Sequence, residues 1–172
     1  MIPLKVWEKA PIEKGYKLVG TTWVFKTKKN ENHVILEYKA RLCAQGFSQT
    51  HGVDFSKTFA PTGRLNSLCT LISHAASEGL QFEQLDIKSA FLNAPLEEDV
   101  YLSIPQGPDC NKRSVCLKLR KSIYGLRQAP LAWYQQLSKW LIYFGFRSPK
   151  RTPAYSTLTP KILFGFSYML TT

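Results

Sequence analysis

The chain has 172 residues, and a hydrophobic fraction of 44% excludes wholesale disorder and suits one domain of ordinary size with a buried core. Lys and Arg number 23 against 12 acidic residues, a net charge of +11 that suits a polyanionic partner such as nucleic acid or an anionic membrane surface, although a merely basic soluble protein carries the same sum. Cys43, Cys69, Cys110 and Cys116 form neither a Cys-x-x-Cys pair nor a zinc spacing and follow no secretory segment, so reduced thiols of an intracellular protein are expected. The longest apolar run, Ile162 to Leu170, falls far short of the roughly 20 residues of a membrane-spanning helix.

Trp23 to Lys28 and Val34 to Cys43 are β-prone stretches separated by the polar cluster Lys29-Asn30-Glu31-Asn32, which together predict a β-hairpin. Side chains alternate faces along a strand, so Lys39, Arg41 and Cys43 are expected on one face and Tyr38, Ala40 and Leu42 on the other. From Leu65 to Ala76 the apolar positions Leu65, Leu68, Cys69, Leu71, Ile72, Ala75 and Ala76 follow helical spacing, with Gly79 as terminator. Phe82 to Ile87 predicts a short strand whose end presents Asp86. Val100 to Ile104, closed by Pro105, and Val115 to Arg120, followed by Gly125, predict two more strands. Pro130 suits the first turn of a second helix, in which Trp133, Leu137, Trp140, Leu141 and Phe144 recur at three- and four-residue steps up to Gly145. Beyond Phe146 the pattern changes: Pro149, Pro153 and Pro160 interrupt a Ser- and Thr-containing stretch, and the apolar end has no clear period. Strands mixed with segregated helices predict an α+β fold.

Several short strings, taken in order, resemble one family. They are Trp23-Val24-Phe25-Lys26; Tyr38-Lys39-Ala40-Arg41-Leu42 with Gln45-Gly46-Phe47; Thr58-Phe59-Ala60-Pro61; Leu85-Asp86-Ile87-Lys88-Ser89-Ala90-Phe91-Leu92-Asn93; and Ser122-Ile123-Tyr124-Gly125-Leu126-Arg127-Gln128-Ala129-Pro130, followed by Ala132-Trp133-Tyr134. Their order and separations are those of copia-type retrotransposon reverse transcriptases, the RNA-directed DNA polymerase domain of a Pol polyprotein. The resemblance implies the right-handed polymerase architecture, with fingers and part of the palm over residues 5–147 and a divergent tail over 148–172. It also implies an RNA or DNA template-primer and deoxynucleoside triphosphates as partners, and magnesium as cofactor.

The same resemblance assigns roles. Asp86 matches the family's first catalytic, metal-binding aspartate; hard carboxylate oxygens suit magnesium, and phosphoryl transfer of this kind uses two such ions. Phe91, five residues on, matches the ring beneath the incoming sugar that acts as a steric gate. Lys39 and Arg41 match the fingers cations that grip the triphosphate through charge-assisted hydrogen bonds. Tyr124, Gly125 and Arg127 fall in the segment of template and nucleotide contacts. Without that context Asp86 is an ordinary strand-terminal acid, Phe91 a core ring, Lys39 and Arg41 cations on a solvated face, and Gly125 a turn residue. Lys112, Arg113, Lys118, Arg120 and Lys121 fit either a template-primer track or a charged surface.

The chain departs from the family pattern in one respect. The x-Asp-Asp landmark expected after the Trp133 helix is absent, and residues 148–172 contain no Asp or Glu. One carboxylate is a poor cage for two metals, so the polypeptide alone is expected to be inactive or nearly so. The alternative to a polymerase is a non-catalytic nucleic-acid-binding remnant of a decayed element, and exposed apolar surface on a partial palm would favour self-association.

Overall fold

The computed structural model describes residues 5–62, 65–81, 85–105, 114–146, 155–158 and 162–165. In chain order the elements are β1 (Trp7–Pro11), β2 (Leu18–Val19), β3 (Thr21–Lys29), β4 (Ile35–Ala44), α1 (Leu65–Ser77), β5 (Tyr101–Leu102), β6 (Val115–Leu119), α2 (Ala129–Tyr143), β7 (Tyr155–Leu158) and β8 (Ile162–Gly165). The mixture of helix and strand agrees with the α+β expectation. The chain divides into two units, one of residues 1–58 with 89–133 and one of residues 59–88 with 134–172.

The first unit holds a four-stranded sheet in the order β1-β6-β5-β2. β1 runs antiparallel to β6, with Trp7 opposite Leu119 and Pro11 opposite Val115, whereas β2 runs parallel to β5. Inward residues of these strands and of the loop after β6 make the core: Val6, Val19, Val100, Leu102, Leu117, Leu119, Ile123 and Leu126 are buried together with Ala44 and Ala129. Burying each large aliphatic side chain contributes roughly 1.5–3 kcal/mol.

The predicted hairpin is present as β3 and β4, paired antiparallel from Thr21 opposite Ala44 to Lys29 opposite Ile35, with a bulge at Lys28/Lys29. Its turn forms around Asn30, whose Oδ1 accepts the N–H groups of Asn32 (3.0 Å) and Val34 (2.9 Å). An Asn side chain does this well because it mimics a backbone acceptor. The ribbon is tied down at its base, where the Ala44 N–H donates to the Tyr124 carbonyl (2.8 Å) and the Gln45 N–H to the Gly20 carbonyl (2.8 Å).

In the second unit α1 forms where the spacing predicts it. The left-handed Gly79 ends it, and the Gly79 and Leu80 N–H groups donate to Ala76 (3.2 Å) and Ala75 (2.8 Å). Its burial is thinner than the spacing suggests: Leu68, Leu71 and Ala75 are half-buried, while Leu65, Cys69, Ile72 and Ala76 are exposed. α2 begins in the first unit and buries Trp133, Leu137 and Leu141 at four-residue steps, leaving Trp140 and Phe144 of the predicted stripe exposed. Gly145, also left-handed, closes it.

One expectation is corrected. Residues 85–87 are not a strand; no ladder partner for them exists among the described residues, and an extended segment without one leaves its backbone groups to water. Residues 82–84 of that prediction lie outside the described residues. The tail has a definite local structure at Tyr155–Leu158 and Ile162–Gly165, which pair antiparallel as β7 and β8. β1 and β2 have no counterpart among the predicted elements.

Candidate functional site

Alternation along β3 and β4 puts Lys26, Lys28, Glu37, Lys39 and Arg41 on one face of the ribbon: Lys26 stands opposite Lys39, Lys28 opposite Glu37 and Val24 opposite Arg41. Glu37 Oε2 lies 3.4 Å from Lys28 Nζ and 3.7 Å from Lys39 Nζ, one carboxylate between two ammonium groups. The Lys28 ammonium beside it holds Lys39 below the usual lysine range, while Glu37 works against that shift. A cation crowded by cations gains from a bound polyanion, which supplies the missing countercharge.

Arg41 turns toward the loop after β6. Its guanidinium carbon lies 5.7 Å from the centroid of the half-buried Tyr124 ring, which meets Phe91 edge to face at 5.0 Å. Both contacts are of attractive type, cation over ring face and ring edge against ring. Phe91 sits in the single 3-10 turn Ala90–Asn93, introduced by Ser89 in the left-handed region (φ +54°), and packs on the sheet core. Arg41, Tyr124 and Phe91 therefore form one continuous row beside the Lys39 cluster.

Gly125 and Arg127 are engaged within the fold. Gly125 has φ +90°, and a Cβ built there would lie 2.1 Å from the Ala44 carbonyl oxygen; a Cβ on Gly46 would meet the Gly125 oxygen at 2.1 Å. Two backbones touch here, and only glycines permit it. Arg127 donates from Nε to the Gly46 carbonyl (2.8 Å), places its guanidinium 5.6 Å from the Phe55 ring centroid, and donates its backbone N–H to Gln49 Oε1 (2.9 Å). Gln49 Nε2 donates to Gln128 Oε1 (3.0 Å), and Gln128 Nε2 to the Asp54 carbonyl (2.9 Å). Asp54 Oδ2 accepts from the Thr50 N–H (2.6 Å) and from Lys17 Nζ (3.0 Å), and Lys17 also reaches the Thr50 hydroxyl. Gln49, Asp54 and Gln128 are buried, and this network locks the 46–55 loop to the loop after β6. The residue pattern does not single out Gln49 or Asp54; each has a backbone N–H among its partners, which leaves no signal in the sequence.

Lys39, Arg41, Phe91, Tyr124, Gly125 and Arg127 all belong to the first unit, and Asp86, exposed, to the second. Among the described residues no group of three or more His, Cys, Asp or Glu side chains is arranged to hold a metal. That donor set does not fit a two-magnesium centre, which needs several hard carboxylate oxygens converging on one point.

A mixed α/β domain that presents a lysine- and arginine-bearing ribbon beside an aromatic row is suited to phosphate-rich ligands, and its sequence identifies which such domain it is. The profile of the family described as "Reverse transcriptase (RNA-dependent DNA polymerase)" matches residues 4–159, and the chain belongs to that family. Within it the chain is of the copia type. It is 42% identical over 131 residues to a "Retrovirus-related Pol polyprotein from transposon TNT 1-94" of Nicotiana tabacum, a match covering 76% of this chain. It is 38% identical over 142 residues, 81% of the chain, to the corresponding polyprotein from transposon RE1 of Arabidopsis thaliana, and 39% over 130 residues, 75% of the chain, to that from RE2. The matches span 10%, 10% and 9% of those relatives. No solved structure matches the chain significantly. No helix among the described residues is long and apolar enough to cross a membrane.

Proposed function

We propose that residues 5–147 are the fingers and first half of the palm of a right-handed RNA-directed DNA polymerase, with a divergent tail at 148–172. In this reading the β3–β4 ribbon is the fingers hairpin. Lys39 and Arg41 take the triphosphate of an incoming deoxynucleotide, Phe91 lies under its sugar, and Tyr124 stands between grip and gate. Gly125 and Arg127 support that surface from below, holding the β4 base and the 46–55 loop. Asp86 is one of the carboxylates that would hold magnesium against an RNA or DNA template-primer.

The observation that carries this reading is the row Lys39, Arg41, Tyr124, Phe91: cations crowded at one end and an aromatic ring at the other, all on one unit. Because the chain has no Asp or Glu after Asp109, the carboxylate set is short, and the polypeptide by itself is inactive as a polymerase. The second reading, a remnant that binds nucleic acid without copying it, draws on the net charge of +11 and the cationic ribbon face, which need no metal.

Primer extension on a primed RNA template with magnesium, beside Asp86→Asn, tests the inactivity: incorporation abolished by the substitution would refute it. Titration with a deoxynucleoside triphosphate tests the grip. Lys39→Ala and Arg41→Ala are each expected to weaken binding roughly tenfold, the scale of one charge-assisted hydrogen bond. Unchanged affinity in both variants would refute the assignment of the triphosphate to this face.

A further inference from the structure

The cationic face of the β3–β4 ribbon carries Lys26, Lys28, Lys39 and Arg41, and Glu37, on the same face, is the only acid on either strand. A bulge puts it there. Near the turn Lys29 stands opposite Ile35, whereas beyond the register shift Lys28 stands opposite Glu37, so Leu36 is an extra residue on β4. Had the turn register continued, Lys28 would face Leu36 and Glu37 would face Thr27 on the other side of the ribbon, taking Lys39 and Arg41 with it. A slip of one residue turns every side chain of a strand over. The bulge therefore gathers cations of both strands and one carboxylate on a single face, re-aiming side chains as bulges beside functional sites do.

Glu37 holds two of these cations with one oxygen. Its Oε2 lies 3.4 Å from Lys28 Nζ and 3.7 Å from Lys39 Nζ, the shorter contact being to Lys28. Lys28 and Glu37 are about half-exposed and Lys39 about a third exposed, so each contact is weak on its own and the carboxylate shifts from one ammonium to the other at little cost. Neutralisation of Lys39 is incomplete, because the Lys28 ammonium holds it below the usual lysine range in spite of Glu37. Along β4, Glu37, Lys39 and Arg41 follow one another on this face at steps of two residues, roughly 7 Å each. Lys39 thus stands between an internal carboxylate and the second cation of the triphosphate grip.

We propose that Glu37 is an internal competitor for the anionic ligand of this face: its carboxylate occupies Lys39 when no ligand is bound and withdraws onto Lys28 when a polyphosphate takes Lys39 and Arg41 together. The carboxylate has one charge and two ammonium groups to choose from. A polyphosphate prevails over it because it brings several charges and reaches Arg41 as well. Lys28 is then a positioning residue, whose part is to receive Glu37 and so leave Lys39 to the ligand. The inference rests on the assignment of the triphosphate to Lys39 and Arg41, and adds to it the residues that set how tightly an anion is held.

The test is isothermal titration calorimetry of the full chain with inorganic tripolyphosphate at one fixed pH and physiological salt, each variant being checked for folding by circular dichroism. Glu37→Gln is expected to tighten binding about fivefold, the scale of one exposed ion pair. Glu78→Gln, which removes the same charge from an exposed position after α1, is expected to change it about twofold at most, the effect of total charge alone. Lys28→Met keeps most of the stem and removes the charge. It is expected to weaken binding about fivefold in the native sequence, because Glu37 then stays on Lys39, and about twofold at most in a chain that also carries Glu37→Gln. An equal loss in both backgrounds makes Lys28 a direct phosphate ligand and overturns the proposal, as does a Glu37→Gln chain that binds no tighter than Glu78→Gln. Lys39→Ala separates the two levels of the reading. Unchanged affinity in that variant overturns the triphosphate assignment and this inference with it, whereas a loss there without a gain in Glu37→Gln overturns this inference alone.

Discussion

The close approach of Gly46, Gly125 and Ala44 makes a quantitative prediction from three single alanine substitutions. Gly15 has φ +97° with nothing among the described residues within 4 Å of a built Cβ, so Gly15→Ala meets the backbone cost of a left-handed alanine, about 1–2 kcal/mol. In Gly46→Ala no positive φ is involved, but the new Cβ lies 2.1 Å from the Gly125 oxygen, a backbone atom that must be displaced; overpacking of this kind costs about 1–3 kcal/mol. Gly125→Ala suffers both effects, since its φ is +90° and its Cβ would lie 2.1 Å from the Ala44 oxygen. It also strains the Ala44 N–H to Tyr124 carbonyl bond of 2.8 Å, for a total of about 3–5 kcal/mol. Domains have only about 5–15 kcal/mol in all, so Gly125→Ala should lower the melting temperature by about 10 °C. Urea denaturation of the three variants measures each loss. If Gly125→Ala loses no more than Gly15→Ala, the backbone contact does not hold the ribbon base and the reasoning is wrong. The double variant Gly46→Ala with Gly125→Ala should lose less than the sum, because either Cβ already forces the same two backbone segments apart.

Ser122 is fully buried and its Oγ has no hydrogen-bond partner among the described residues, so Ser122→Ala should stabilise the fold by about 1 kcal/mol in the same denaturation assay. Arg127→Lys gives up the Nε bond to Gly46 and the planar contact with Phe55, and should cost about 1–2 kcal/mol of stability; a loss of nucleotide binding with stability unchanged would show that Arg127 is not a strut. Of the three described thiols, an aromatic disulfide should modify Cys69 first, Cys43 more slowly and Cys116 last, following their exposure. Burial pushes the Cys43 and Cys116 thiols up, so both are protonated in the fold at a pH where the unfolded chain has begun to ionise. Their contribution is complete below the ordinary thiol range and is lost as pH rises through the raised values; denaturation midpoints against pH should show an alkaline fall that is shallower in Cys116→Ala.

What could be read from the residues was local. The ribbon announces itself by alternation on both sides of an Asn-containing turn, and the helices by their spacing and by Gly79 and Gly145 at their ends. Both signals operate within a few residues. β1 and β2 are illegible because their partners are far away: Trp7 pairs with Leu119 and Leu18 with Tyr101, and neither strand carries an alternation long enough to be noticed. The strand expected at Phe82 to Ile87 shows the converse, a β-prone string without a described partner. Alternation alone places Lys39 and Arg41 on a shared face. The structural work of Arg127, Gln49 and Asp54 stays hidden because much of it is done against carbonyl and amide groups that every residue has.

The order of strands in the sheet governs when it can form. Along β1-β6-β5-β2, the only neighbours close in sequence are β5 and β6; the outer strands must wait for partners made about a hundred residues later. The ribbon closes over a few residues and needs no such wait. During synthesis the amino-terminal part therefore emerges with a formed, cation-bearing hairpin and two unpaired strand edges, and its core can close only once Val115 to Leu119 has been made. A shortened chain ending before Val115 would keep the hairpin and lose the sheet on which it stands.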